Sequence, residues 1–179
     1  METLFTIALR VELPGHALSP KDVCVTGMGP DNSRAAIARA IASYSPKRVV
    51  NLGAAGCLSD GFHRSNGARV PVGTIIAPSL VMMKDEPDLD LPDGNPEWHL
   101  VTVSEPVFGT NASGIHPGRS HCLVDMECYP QAQVCKAMGV PFHARKCVSD
   151  FASSQEEFFL NLPTVQARLE EEFHSWLRT

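Results

Sequence analysis

Residues 124–151 read VDMECYPQAQVCKAMGVPFHARKCVSDF, and this stretch decides the fold that we predict for the chain. It begins with two carboxylates, Asp125 and Glu127, and continues with apolar residues at helical spacing. Gly139 is a typical residue just past a helix end, and Pro141 prevents the helix from resuming. The first half of the stretch therefore predicts a helix that starts beside a pair of acids.

The second half of the stretch predicts a short buried strand over residues 141–148. This strand places Ser149 and Asp150 at its carboxyl end. In open α/β sheets, ligands bind at the carboxyl ends of strands. We therefore expect Glu127, at a helix start, and Asp150, at a strand end, to meet in a single pocket.

Strands and helices alternate along the rest of the chain. Further strands are predicted over residues 4–9, 23–26, 48–52, 72–79 and 98–103. The alternation predicts an α/β fold with a largely parallel, mixed central sheet flanked by helices. At 179 residues, the chain is expected to form one domain over residues 1–179.

Glycines follow two of these strands, at residues 27–29 and 53–56. Glycine at a strand end lets the backbone approach a ligand closely, although a pair of glycines more often marks a tight turn. We expect both glycine loops to lie on adjacent parallel strands and to line one cleft. Asp31 or Asn32 is expected to cap the helix that follows the first loop.

Two further segments carry expectations that the structure tests. Residues 85–96 contain five acids and three prolines, and this composition predicts a surface loop. Pro163 is expected to divide the C-terminal region into a short turn and a final helix. One face of that helix carries apolar residues that we assign to the core, namely Val165, Leu169, Phe173, Trp176 and Leu177.

The composition excludes several classes of function. The hydrophobic fraction of 44% and the charged fraction of 20% are ordinary for a globular protein. A formal net charge of −5 without any Lys/Arg run argues against a nucleic-acid surface. No apolar run approaches the roughly 20 residues that a membrane span needs. Six cysteines without metal-ligand or paired spacing favour reduced thiols and a cytoplasmic location.

Several motifs together resemble the purine nucleoside phosphorylase and nucleosidase superfamily, and most closely its 5′-methylthioadenosine/S-adenosylhomocysteine nucleosidases. The matching pieces are ALRVEL (8–13), TGMGPDN (26–32), VVNLGAAG (49–56), VGTII (72–76), VTVSEPVF (101–108), VDMECYPQAQVCKAMGVPF (124–142) and VSDFA (148–152). The pieces occur in the right order over most of the chain. The most specific of them are Met-Glu at a helix start and the later strand that ends in Ser-Asp.

The resemblance implies roles for three carboxylates. Asp150 is similar to the acid that protonates purine N7, and Glu127 to the carboxylate that holds the ribose hydroxyls. Glu12 is similar to the base that polarises the attacking water. Breaking an N-glycosidic bond builds positive charge on the sugar and negative charge on the base, and such a set of acids can stabilise both.

Other positions are implied to contact the substrate. Phe108 resembles the aromatic residue that stacks on the purine, and Met126 the residue that packs against the sugar. Gly53 and Ala54 resemble the loop beside the nucleophile. The remaining implied contacts are Val107 and Ser149. The resemblance implies a purine nucleoside as substrate, a homodimer, and neither a metal nor an organic cofactor.

Four departures from the family pattern affect the details of these expectations. One is that the segment over residues 57–71 is longer than usual. Only some ten residues separate Leu13 from Val23, so the family's usual β-hairpin is absent and a reduced sheet is expected. Ala54 stands where relatives usually carry Ser or Thr. Residues 80–97, which shape a dimer interface in many relatives, do not show the family's usual pattern.

Three alternative interpretations stay open at this stage. The first is a phosphorylase, or a related hydrolase for another 5′-modified adenosine. Phosphorylases of the superfamily typically carry R-x-G-[ST] at the third strand end, where this chain reads Asn51-Leu52-Gly53-Ala54. The second is a nucleoside-binding protein without turnover. The third is that the acids are ordinary loop and cap residues.

Overall fold

The computed structural model describes residues 1–14, 22–58, 70–108, 115 and 121–178. The described residues form nine strands: β1 (Thr3–Ile7), β2 (Val23–Val25), β3 (Arg48–Cys57), β4 (Ile75–Ile76), β5 (Pro78–Met83), β6 (Leu89–Asp90), β7 (Asn95–Thr102), β8 (His121–Asp125) and β9 (Phe142–Asp150). They also form three α-helices: α1 (Pro30–Tyr44), α2 (Cys128–Met138) and α3 (Gln155–Leu177). A short 3-10 helix covers Arg10–Glu12.

All nine strands belong to one mixed sheet, and its main path runs in the order β2-β1-β3-β8-β7-β5-β6. Five of its pairings are parallel: β1 with β2, β1 with β3, β3 with β9, β5 with β7, and β7 with β8. The antiparallel pairings are β3 with β8, β4 with β9, and β5 with β6. The predicted α/β fold with a largely parallel, mixed sheet is therefore confirmed.

Strand β3 is the centre of the sheet because it pairs with three other strands. It pairs with β1 near its start, with β9 over residues 49–56, and with β8 only at Gly56 and Cys57. Successive side chains of β3 point to opposite faces of the sheet and pack in different hydrophobic clusters. Val49 packs in the cluster that contains α1 and α2, whereas Val50 packs in the cluster that contains α3. This period of two is what a strand buried on both faces requires.

Helix α3 covers one face of the sheet through Val165, Leu169 and Phe173, which are almost completely buried. The ring of Phe173 lies 4.7 Å from that of Phe5 on β1, in an edge-to-face arrangement. Each such buried side chain contributes about 1.5–3 kcal/mol relative to an exposed one. The predicted apolar stripe is therefore confirmed for these three residues, but Leu177 is exposed and lies outside the core.

Helix α2 begins and ends as its sequence predicts. At its end, Gly139 has φ of 69°, a left-handed conformation that glycine adopts without steric cost. The amide of the next residue, Val140, donates to the carbonyl of Cys135 at 2.9 Å, which satisfies a carbonyl at the helix end. At its start, the amide of Cys128 donates to the Asp125 carboxylate at 2.9 Å. Asp125 and Glu127 therefore both lie just before the first turn of α2.

Three of the local predictions in the first half of the chain are wrong. Residues 53–56 are not a loop, because β3 continues through them while it pairs with β9. The strands that precede the two glycine segments are also not adjacent, because β1 lies between β2 and β3. Helix α1 starts at Pro30 after Gly29, so neither Asp31 nor Asn32 caps it.

Two predictions in the second half are also wrong. Pro163 does not divide the C-terminal region, because α3 continues through it. Residues 85–96 are not entirely a surface loop: they contain β6 and the start of β7, and Leu89 and Leu91 are buried. Within the described ranges, no helix is both long and apolar enough to cross a membrane.

Candidate active site

A cavity of about 440 Å³ opens at the carboxyl ends of β1, β3 and β9. Its walls include the three predicted carboxylates, Glu12, Glu127 and Asp150. They reach it from a 3-10 helix, from the start of α2 and from the end of β9. All three are buried, so the arrangement concentrates acidic groups where water screens them weakly.

Glu12 is held by two backbone amides. Its Oε2 accepts from the amide of Leu9 at 2.9 Å, and its Oε1 accepts from the amide of Ala54 at 3.0 Å. Burial raises the pKa of Glu12, and the two amides and the Lys146 ammonium act against that rise. The carboxylate is therefore fixed in orientation while its basicity is increased, as a general base requires.

Asp150 is held by two residues that are close to it in the chain. Its Oδ2 accepts from the Ser149 hydroxyl at 2.5 Å, and its Oδ1 accepts from the amide of Ala152 at 2.8 Å. Asn161 on α3 donates to the Ser149 carbonyl at 2.8 Å and ties this strand end to the helix. Burial raises the pKa of Asp150, which favours retention of a proton.

Glu127 joins α2 to the loop before α1. Its Oε1 accepts from the amide of Gly29 at 2.9 Å, and its backbone carbonyl accepts from the Ser33 hydroxyl at 3.3 Å. Burial, followed by the neighbouring Asp125 carboxylate, raises the pKa of Glu127 to about 7. This carboxylate therefore changes charge near neutral pH.

Lys146 is a buried charged residue beside the cavity that the sequence analysis missed. It lies in the middle of β9 and is 1% exposed, and its ammonium contacts Asp125 at 2.7 Å. Burial acts to lower the pKa of Lys146, but the carboxylates of Asp125 and Glu127 together raise it above its usual value. The sequence did offer one signal of a buried lysine: Lys146 stands between Arg145 and Cys147 in a strand that is predicted to be buried.

Asp125 satisfies several partners besides Lys146. Its Oδ1 accepts from the Thr102 hydroxyl at 2.6 Å, and its Oδ2 accepts from the amide of Cys128. The same Thr102 hydroxyl oxygen accepts from the amide of Tyr129 at 2.9 Å. One carboxylate thus connects β7, β8, β9 and the first turn of α2, so it fixes the position of Glu127.

The remaining cavity wall is mostly apolar. Of the predicted substrate contacts, Val107, Phe108, Met126, Ala54 and Ser149 line it. Gly53 does not line it, but a Cβ at Gly53 would lie 3.4 Å from both Glu12 Oε1 and Lys146 Nζ. The sequence analysis missed the apolar residues at the outer end of the cavity, which are Leu9, Val11, Met28, Phe158 and Phe159.

A second cavity, of about 330 Å³, lies between β2 and α1. Its described lining residues include Arg10, Arg39 and Tyr44 but no carboxylate. Because both arginines are exposed to solvent, the cavity lacks the buried polar groups that mark the first one. The carboxylate-lined cavity is therefore the candidate active site.

Comparison with known proteins gives a match to one family model. Residues 99–176 match the family model of the phosphorylase superfamily, and they include Phe108, Glu127, Lys146 and Asp150. A search of curated protein sequences gives no match.

Solved structures match over nearly the full chain. A putative 5′-methylthioadenosine/S-adenosylhomocysteine nucleosidase from Borrelia burgdorferi, bound to adenine, superimposes with a TM-score of 0.79 at 16% identity, over 98% of this chain and 99% of that chain. The 5′-methylthioadenosine nucleosidase of Arabidopsis thaliana gives 0.75 at 18% identity, over 99% and 94%. Futalosine hydrolase of Helicobacter pylori gives 0.75 at 14% identity, over 97% and 96%.

These matches test the resemblance inferred from the motifs. The fold agrees over almost all of the chain, and the sequence pattern agrees over its C-terminal part. The predicted resemblance is therefore confirmed: this chain has the fold of the purine nucleoside phosphorylases and nucleosidases, and its residues 99–176 carry the sequence pattern of the phosphorylase superfamily.

Proposed function

We propose that this chain is a nucleosidase that hydrolyses the N-glycosidic bond of a purine nucleoside. The observation that carries the proposal is the convergence of Glu12, Glu127 and Asp150 on one largely apolar cavity. Several solved structures of the same fold are named as nucleosidases. Two of these structures contain bound adenine.

In the proposed reaction, the oxygen of a water molecule attacks C1′ of the sugar while the C1′–N9 bond breaks. Asp150 gives its proton to N7, so the base leaves as a neutral purine. Glu12 takes the proton that the water loses, and the products are a free base and a free sugar. The raised pKa of Asp150 supports its role as the acid, because a carboxyl group in water would be ionised at neutral pH.

Glu127 is proposed to accept hydrogen bonds from the ribose hydroxyls and to stabilise the cationic sugar in the transition state. Phe108 is proposed to stack on the purine, and Met126 to pack against the sugar. Both side chains lie on the cavity wall and are half-buried, as a contact surface for a planar ligand requires.

The class of substrate is proposed to be a 5′-modified adenosine with an apolar group at the 5′ position. Leu9, Met28 and Phe159 lie at the cavity and remain substantially exposed, so an apolar group that covered them would be stabilised. The fold neighbours named for 5′-methylthioadenosine and S-adenosylhomocysteine support this class.

Water is proposed as the nucleophile rather than phosphate. Phosphate binding needs cationic side chains or hydroxyls around the anion. Among the described residues that line the cavity there is neither an arginine nor a lysine, and the Ser149 hydroxyl already donates to Asp150. Lys146, outside the lining, is paired with Asp125. The homodimer and the cytoplasmic location remain predictions from the sequence.

Product analysis on a panel of nucleosides tests the proposal. The panel contains adenosine, 5′-methylthioadenosine, S-adenosylhomocysteine, inosine and 2′-deoxyadenosine, each with and without inorganic phosphate. We expect free base and free sugar at a rate that does not depend on phosphate. A sugar 1-phosphate would indicate a phosphorylase instead. Tight binding of these nucleosides without base release would indicate a binding protein.

A further inference from the structure

A buried ion pair lies behind the proposed catalytic acids. Lys146 of β9 and Asp125 of β8 are 2.7 Å apart, and both side chains are 1% exposed. Ion pairs this deeply buried are expensive in desolvation, and replacing them by apolar residues is often neutral or stabilising. Its presence beside the cavity therefore needs an explanation other than stability.

The position of the Lys146 ammonium suggests that explanation. A Cβ at Gly53 would be 3.4 Å from Lys146 Nζ and 3.4 Å from Glu12 Oε1, so only the small glycine separates them. Asp125 lies two residues before Glu127 and holds the first turn of α2 through the amide of Cys128. One member of the pair is thus close to Glu12, and the other is close to Glu127.

We infer that Lys146 and Asp125 form a positioning pair that sets the charge states of Glu12 and Glu127. This inference rests on the proposed function, in which both glutamates must be ionised for turnover. Lys146 favours the ionised form of both glutamates, and Asp125 opposes ionisation of Glu127. The two members of the pair therefore act in opposite directions on the same site.

The electrostatics of the surrounding groups agree with this geometry. For Glu127, burial raises the pKa most, Asp125 raises it further, and Lys146 lowers it. For Glu12, burial raises the pKa, and the ammonium of Lys146 is the cation that lowers it. The other titratable groups that face this cluster are the thiols of Cys128 and Cys147, whose pKa values burial raises, so both stay neutral.

The dependence of kcat/KM on pH tests the pair, because its acidic limb reports the ionisation of groups in the free enzyme. In Lys146→Gln, we expect this limb to move to higher pH by about one unit or more, since an opposite charge at close range shifts a pKa by roughly 1–3 units. In Asp125→Asn, we expect it to move to lower pH. Lys146→Arg keeps the charge, so it should move the limb less than Lys146→Gln does.

A matched control comes from the exposed pair of Lys47 and Glu2, whose atoms are 2.6 Å apart. Lys47→Gln removes a lysine from an ion pair without approaching the cavity, so it should leave the profile unchanged. A purely structural role of Lys146 predicts lower stability without opposite shifts in the two single variants. Shifts in the same direction, or no shift in either, would overturn the inference.

Two further measurements keep the test decisive. The double variant Lys146→Gln/Asp125→Asn replaces the pair by two neutral amides, so it should fold and return the limb towards the wild-type position. Carboxylate ¹³C NMR titration of the ligand-free protein, with Glu127→Gln to assign the signal, should show the same opposite shifts. If the wild type released no base from any nucleoside, the proposed function would fail, and the titration would still decide the inference.

Discussion

Gly56 of β3 and Asp150 of β9 are register partners, and a Cβ at Gly56 would lie 3.1 Å from Asp150 Oδ1. The same Cβ would lie 3.2 Å from Val124 Cγ1, so it could not move away from the carboxylate. The carboxylate of Asp150, the proposed acid, therefore packs directly against the backbone of Gly56.

This contact predicts that Gly56→Ala displaces the Asp150 carboxylate by a few tenths of an ångström. Because catalysis depends on the alignment of the proton donor, we expect kcat for base release to fall by about tenfold or more. Gly139→Ala is the control, since its added Cβ would contact nothing within 4 Å but would occupy a left-handed conformation. It should lower stability by about 1 kcal/mol and spare turnover. Equal turnover in both variants would contradict the seating role of Gly56.

Replacement of the proposed acid itself gives a second prediction. Asp150→Asn keeps the shape of the side chain and one acceptor oxygen for the Ala152 amide, replaces the oxygen that accepts from Ser149 by an NH₂ donor, and removes the transferable proton. We expect base release to fall by about 10²- to 10⁴-fold, which is the usual contribution of general acid catalysis. Adenine or nucleoside binding, measured by calorimetry, should change far less. Turnover close to that of the wild type would remove Asp150 from the mechanism.

A third prediction separates ribose recognition by Glu127 from a structural role. If Glu127 accepts from the ribose hydroxyls, Glu127→Gln should slow cleavage of ribonucleosides at least about tenfold more than cleavage of 2′-deoxynucleosides. A hydrogen bond to a charged group is worth roughly 1.5–3 kcal/mol, and the deoxy substrate lacks one such partner. The comparison needs kcat/KM for both substrates in both proteins.

The control for Glu127 is Asp31→Asn, which neutralises an exposed acid in the first turn of α1. It should change stability by about 0.3–1 kcal/mol through the helix dipole and leave the substrate preference unchanged. If Glu127 serves only to accept from the Gly29 amide, Glu127→Gln would behave in the same way, with equal losses for the two sugars.

The titration of Glu127 gives a fourth prediction, on stability. Folding raises its pKa from 4.5 to about 7, so the folded protein binds a proton that the unfolded chain has released over this range. The contribution of Glu127 to the free energy of unfolding should therefore be largest at and below about pH 4.5. It should decrease by on the order of 3 kcal/mol as the pH rises to about 7. Glu12 and Asp150, whose pKa values are also raised, act in the same direction.

Urea denaturation of the wild type and of Glu127→Gln between pH 4.5 and 8 isolates this contribution. The difference in free energy of unfolding between the two proteins should change with pH, in favour of the variant as pH rises. A difference that is constant across this range would show that Glu127 has the same pKa in the folded and unfolded states.

The sequence predicted those parts of the site that follow from simple rules of α/β folds. Asp150 could be placed because a buried strand ends there, and Glu127 because Gly139 and Pro141 define the helix that starts beside it. Their convergence also depends on the antiparallel pairing of β8 with the last two residues of β3, Gly56 and Cys57, which no local pattern shows. The roles assigned to these acids stay predictions until the variants are measured.

Lys146 could not be placed in the same way, because its burial depends on a partner from another strand. Lysine is rarely buried, so a lysine inside a strand is normally interpreted as facing solvent. Only the pairing of β8 and β9 around β3 brings Asp125 within 2.7 Å of it. Long-range pairing also explains residues 53–56, where the hydrogen bonds with β9 keep four small residues extended.

The continuity of α3 through Pro163 has a different reason. Proline removes one amide donor, which would have bonded to the carbonyl of Phe159. Phe159 and Leu160 are 58% and 81% exposed, so this interruption falls on the exposed part of the helix. The buried anchors Val165 and Leu169 lie beyond it. A local rule predicted a break, and tertiary packing outweighed it.

The burial of Glu127 has a practical consequence for protein engineering. Burial raises the pKa of Glu127 to about 7, so the ionised side chain destabilises the fold. A protein with an uncharged residue at this position should therefore be more stable than the native one. A library selected only for thermal tolerance, with no nucleoside present, should therefore become enriched in uncharged replacements at this position and lose turnover as it gains heat resistance. Directed evolution of this scaffold would need a simultaneous screen for product formation to keep the enzyme functional.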